Sequence, residues 1–96
     1  MQKKSILNFI ELNSGIMKKY GVKKIGLFGS FVTAKTTDSS DIDILVEFEK
    51  GMKTFDNYMD LKFFLEDNLK RKVDLVITEN IKPELKEEIL NSVEYA

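Results

Sequence analysis

Apolar residues return every three or four positions through the first twenty residues, at Ile6, Phe9, Ile10, Ile16, Met17 and Tyr20. That spacing predicts an amphipathic helix whose stripe is interrupted around Asn13. Ser5 is the expected cap, Lys18 and Lys19 fall in the last turn where cations suit the helix dipole, and Gly21 closes it. The pattern then changes. Val22 to Phe28 is a short apolar run bracketed by Gly21 and Gly29, which predicts a strand. Gly29-Ser30 ends that strand, Phe31 to Lys35 predicts one or two helical turns, and Thr36 to Ser40 is a polar loop. A second strand is expected at Ile42 to Phe48, with a turn at Lys50-Gly51. Thr54 or Asp56 opens a second long helix reaching Leu69, its inward stripe drawn through Phe55, Tyr58, Leu61, Phe64 and Leu65. A basic turn over Asn68 to Lys72 leads to a third strand, Val73 to Ile77. Pro83 fits the first turn of a last helix with Leu85, Ile89 and Val93 facing inward. Helices alternating with strands predict an α/β (α+β) architecture, a mixed sheet of at least three strands with helices packed on it.

The 96 residues suit one domain, spanning 1–96, and contain neither a repeat nor a linker. With no cysteine and no histidine in the chain, disulfides, zinc–thiolate sites and Cys or His catalysis are excluded. Any chemistry must use carboxylates, lysines, hydroxyls, backbone amides or a metal held by oxygen. A net charge of −1 gives no global basic field, so direct nucleic-acid binding is not expected. The charge is uneven: residues 1–40 sum to +5 and residues 41–96 to −6. The sharper reading of that asymmetry puts phosphate near the first part and a cation near the second. No apolar run is long enough for a membrane span, no secretory signal opens the chain, and a cytoplasmic location is expected.

Three aspartates stand inside or beside apolar strands: Asp41, Asp43 and Asp74. Burying carboxylates is costly, so their placement needs a reason. Alternation along a strand sends Asp41 and Asp43 to one side, with Cα atoms about 6.5–7 Å apart, while Ile42 and Ile44 anchor the other side. If the third strand lies beside the second, Asp74 joins them. Clustered carboxylates repel unless a cation separates them, and Mg²⁺ suits hard oxygen donors. A lone strand aspartate is ordinarily a solvated residue. Three of them together with a Gly-Ser turn indicate a site. Gly29 lets the chain turn tightly and an anion approach, amides at a following helix start point toward that anion, and the Ser30 hydroxyl adds a donor.

Gly29-Ser30, ten residues, Asp41-Ile42-Asp43 and a later Asp74 together resemble the nucleotidyltransferase superfamily with a DNA polymerase β-like palm. More narrowly the chain is similar to the minimal nucleotidyltransferase (MNT) antitoxins that are paired with HEPN-domain toxins. The resemblance runs from the opening helix before KKIGLFGSF, through SDIDILVEFE and VDLVI, to KPELKEEIL. It implies that Gly29 and Ser30 bind the phosphates of a nucleotide, that Asp41, Asp43 and Asp74 are catalytic and bind metal, and that two Mg²⁺ ions are the cofactors. It further implies ATP as donor, a tyrosine of a HEPN-domain ribonuclease toxin as acceptor, and silencing of that toxin by AMP transfer. Phe31, Phe55, Tyr58, Phe63 and Tyr95 are candidates for the partner surface, with core packing as the alternative, and Phe63 lies off the inward stripe. One feature departs from the family. The usual Ala-Arg-Gly-Glu run is replaced by Val32-Thr33-Ala34-Lys35, and Arg71 is the only arginine in the chain. A lysine does not replace the bidentate grip of an arginine. An antitoxin that neutralises its partner by binding alone is therefore the alternative.

Overall fold

The structure is a computed structural model and describes residues 2–29 and 41–96. Helix α1 spans Lys3–Leu12 and α2 spans Ser14–Lys19. The predicted single helix is thus two, and it starts after Gln2 rather than at Ser5. The break falls at Asn13, whose side-chain amide donates to the Phe9 carbonyl at 2.8 Å. A short polar side chain that bonds its own backbone competes with the helical ladder. Gly21, at φ +82°, receives the chain as expected and carries it into β1, Val22–Phe28. Strand β2 is Ile42–Phe48. Helix α3, Phe55–Leu69, is capped by Thr54, whose hydroxyl oxygen accepts from the Asn57 amide at 3.1 Å. After α3 come β3, Val73–Ile77, a 3₁₀ turn over Thr78–Asn80, α4, Pro83–Ser92, and a two-residue strand β4, Glu94–Tyr95.

The sheet runs β3-β2-β1-β4. β1 pairs antiparallel with both β2 and β4, and β2 pairs parallel with β3. One face is apolar. Ile25 and Leu27 of β1, Ile42, Ile44 and Val46 of β2, and Val73 and Leu75 of β3 form one buried cluster with Ile6, Ile10, Met17, Leu61, Leu65 and Leu69. Helices α1, α2 and α3 therefore cover that face. Alternation sends Asp43 and Asp74 to the other face, together with Leu45, which is buried outside this cluster.

Two inward assignments are corrected. Phe55 is 68% exposed; it is the first residue of α3, more than a full turn ahead of the buried stripe that begins at Leu61. Leu85 is 45% exposed, and no residue of α4 is fully buried, so that helix lies on the body without sinking into it. Phe63 is exposed, as its position off the stripe suggests, and Tyr95 also faces solvent. Tyr58 is partly buried, and its hydroxyl donates to the Leu75 carbonyl at 2.7 Å. Phe31 and the predicted helical turns after Gly29 lie outside the described residues. No helix among the described residues is long and apolar enough to cross a membrane.

Candidate active site

Pairing across three strands builds the site. Phe28, the last residue of β1, is opposite Asp43 in β2, and Asp43 is opposite Asp74 in β3. In-register neighbours point to the same side of a sheet and lie about 5 Å apart at Cα. The two aspartates thus stand side by side at one end of the sheet. Asp43 is half-buried and Asp74 exposed. β3 lies beside β2, which meets the condition for Asp74 to join Asp43.

Gly29 follows directly, at φ +72°. A Cβ added there would overlap the Asp43 Oδ2 atom and sit 3.0 Å from its Cγ. The missing side chain is therefore what leaves room for the Asp43 carboxylate, and only glycine adopts such a φ without cost. Ser30, the other half of the pair, lies outside the described residues.

Asp41 precedes β2 and is exposed. It shares a cavity of about 600 Å³ with Asp74, lined also by Lys62, Glu66, Lys70, Arg71, Lys72 and Val73. The cavity opens where the end of α3, the turn before β3 and the starts of β2 and β3 meet. The edge of β3 is held from α3. The Val73 amide donates to Glu66 Oε2 at 2.9 Å, and the Leu75 carbonyl accepts from Tyr58 at 2.7 Å. Asp74 lies between these two clamped residues, so α3 fixes its position along the sheet. The Ile42 amide donates to the Lys72 carbonyl at 2.9 Å and ties the start of β2 to the same turn.

Among the described residues, no group of three carboxylates stands close enough to make a ready-built cation cage. Mg²⁺ is ordinarily held through one or two carboxylates plus substrate phosphates, not by an all-protein cage. An adjacent pair of aspartates, with oxygen as the donor and a side-chain-free glycine beside it, fits that ion. The basic lining around Asp74 was missed as part of the site. The turn itself reads as basic from Lys70-Arg71-Lys72, but its neighbourhood depends on the strand order.

The polymerase β nucleotidyltransferase family matches residues 11–95. The protein adenylyltransferase MntA of Thermococcus cleftensis is 35% identical over 80 residues, which cover 83% of this chain and 80% of that one. A solved structure provisionally described as a minimal nucleotidyltransferase superposes with a TM-score of 0.84 at 29% identity, covering 98% of this chain and 95% of the other. The fold is shared, at 23% identity and a TM-score of 0.57, with a complex of an AMPylated Shewanella oneidensis HEPN toxin and its MNT antitoxin. That likeness covers 88% of this chain and 69% of the matched chain. With the family match running through both aspartate strands and the sheet that pairs them, the chain belongs to the polymerase β nucleotidyltransferase family.

Proposed function

We propose that this chain, acting as one domain over residues 1–96, is the antitoxin of a toxin–antitoxin pair and transfers AMP from ATP to a tyrosine of a HEPN-domain ribonuclease toxin. The observation that carries the reading is the in-register pair Asp43 and Asp74 beside Gly29. A nucleotidyl transfer needs phosphate binding next to carboxylates that hold a divalent cation, and Gly29 and the two aspartates, neighbours at one end of one sheet, are the candidates for these two roles. Support for the partner comes from the antitoxin complexes that share the fold and from the named adenylyltransferase relative.

In this reading Gly29 and Ser30 bind the phosphates of ATP. Asp43 and Asp74 would hold Mg²⁺ together with the phosphates, Asp41 joining them as a third ligand only in the nucleotide-bound state, and the ion would offset the charge of the phosphates and of the transition state. Asp74, the most outward of the strand carboxylates, accepts the proton of the tyrosine hydroxyl. The freed oxygen bonds to the α-phosphorus, the bond from that phosphorus to the bridging oxygen of the β-phosphate breaks, and pyrophosphate leaves. ATP and a ribonuclease as substrates put the activity in the cytoplasm.

Incubation with ATP, Mg²⁺ and a HEPN-domain protein, followed by intact mass of both chains, tests this. A gain of one or more AMP groups on the partner supports transfer. A stable complex of unchanged mass supports the second reading, neutralisation by binding alone. That alternative is favoured by one observation, the Val32-Thr33-Ala34-Lys35 run where the family carries its arginine.

A further inference from the structure

The row of site residues has two unlike flanks. On the β1 side of Asp43 is the Gly29 turn, and on the β3 side is the basic cavity that holds Asp74. Displacement at phosphorus runs in line, with the attacking oxygen opposite the leaving one. If the phosphates of the donor lie at the Gly29 turn, the acceptor arrives from the β3 side, through the cavity.

We infer that this cavity is the acceptor's docking site, and that it selects a hydroxyl carried on a polypeptide segment with acidic residues beside it. The inference rests on the transferase reading for direction and on the rim for chemistry. Lys62, Lys70 and Lys72 line the cavity with Arg71, and no ion pair among the described residues engages those three lysines. Glu66, the remaining acid of the lining, is turned to the Val73 amide. A second observation concerns Lys70. It ends α3 at φ 57°, the only non-glycine residue with positive φ among the described residues. Glycine is the ordinary choice at that position, and a lysine there retains backbone strain that a functional side chain accounts for. The lining sets four basic side chains against Asp41, Glu66 and Asp74, on a chain of net charge −1. An acidic peptide fits that footprint better than a nucleic acid, which requires an extended basic face.

The test is equilibrium binding to the full chain of fluorescent peptides, each with one tyrosine flanked by glutamates, by glutamines or by lysines, against an oligoribonucleotide of matched charge. The glutamate peptide is expected to bind about fivefold more tightly than the glutamine peptide at low salt, with the preference closing as salt approaches about 0.5 M. In Lys70→Gly/Lys72→Gln the preference disappears while Tm stays level or rises, because glycine relieves the backbone at position 70. Equal binding of the three peptides, a preference that survives in the double variant, or tighter rim-dependent binding of the oligoribonucleotide overturns the inference. Since the readout is binding, a chain that prefers acidic peptide but transfers nothing refutes only the transferase reading. A chain that transfers AMP without regard to charge refutes only the docking site.

Discussion

Replacing Gly29 with alanine adds two separable perturbations. The first is conformational. Gly29 sits at φ +72°, where an L-residue pays about 1 kcal/mol. For a domain of this size that lowers Tm by about 4–8 °C. The second is steric. The new methyl overlaps Asp43 Oδ2 and lies 3.0 Å from Cγ and 3.3 Å from Cβ. The carboxylate is the end of a movable side chain, so the methyl is accommodated by rotating it out of place. Its displacement falls on the chemistry, where a shift of about 1 Å costs on the order of a hundredfold in rate. Gly51→Ala supplies the control, since Gly51 has φ +79° with nothing within 4 Å of an added Cβ. Thermal melts and AMP-transfer rates are to be measured on both variants. Similar losses of Tm are expected in the two, with the collapse in rate confined to Gly29→Ala. If Gly29→Ala transfers as fast as Gly51→Ala, Asp43 does not need the space that glycine leaves, and the reasoning is refuted.

The other expectations are more local. Tyr58→Phe removes the 2.7 Å bond to the Leu75 carbonyl and should cost about 1 kcal/mol by urea unfolding. It should also slow transfer through the loosened β3 edge, and an unchanged rate would show that the clamp does not position Asp74. Leu61→Ala, at a fully buried position under the sheet, should cost about 2–5 kcal/mol in the same assay, and a cost under about 1 kcal/mol would contradict the core assignment. Asp74→Asn should retain ATP binding by calorimetry and lose transfer, whereas normal transfer would remove Asp74 from the mechanism. Asp41→Asn should lose transfer with its melting curve intact, since Asp41 is exposed and ahead of the strand; unfolding would make it structural.

Strand positions were legible because their apolar runs are short and bounded by glycine or polar turns, and β1, β2 and β3 fall where the pattern puts them. The period of α1 and α2 was also readable, but the break at Asn13 was visible only as a gap in the stripe. Phe55 and Leu85 fit a helical stripe, yet periodicity does not tell which part of a helix is covered. β4 was missed because two residues have no period. Its mark was Gly26 in the middle of β1, where an added Cβ would meet the Glu94 carbonyl oxygen at 2.5 Å. A glycine inside a strand often signals another backbone passing close by. At the site, the two-residue spacing of Asp41 and Asp43 was in the sequence. The neighbourhood of Asp43 and Asp74, 31 positions apart, was not, because it depends on β2 and β3 pairing in register. Lys70 and Lys72 stand next to Asp74 in the sequence itself; out of reach were Asp41, brought to that turn by the same pairing, and Lys62, brought by the packing of α3.

The central claim is that the Asp43–Asp74 pair carries nucleotide transfer. It is tested most directly by the intact mass of a HEPN-domain partner after incubation with ATP, Mg²⁺ and either the wild-type chain or Asp43→Asn. The account predicts added AMP with the wild-type chain and an unmodified partner with Asp43→Asn, both proteins melting at similar temperatures. Equal modification by the two, or none by the wild-type chain, would contradict it.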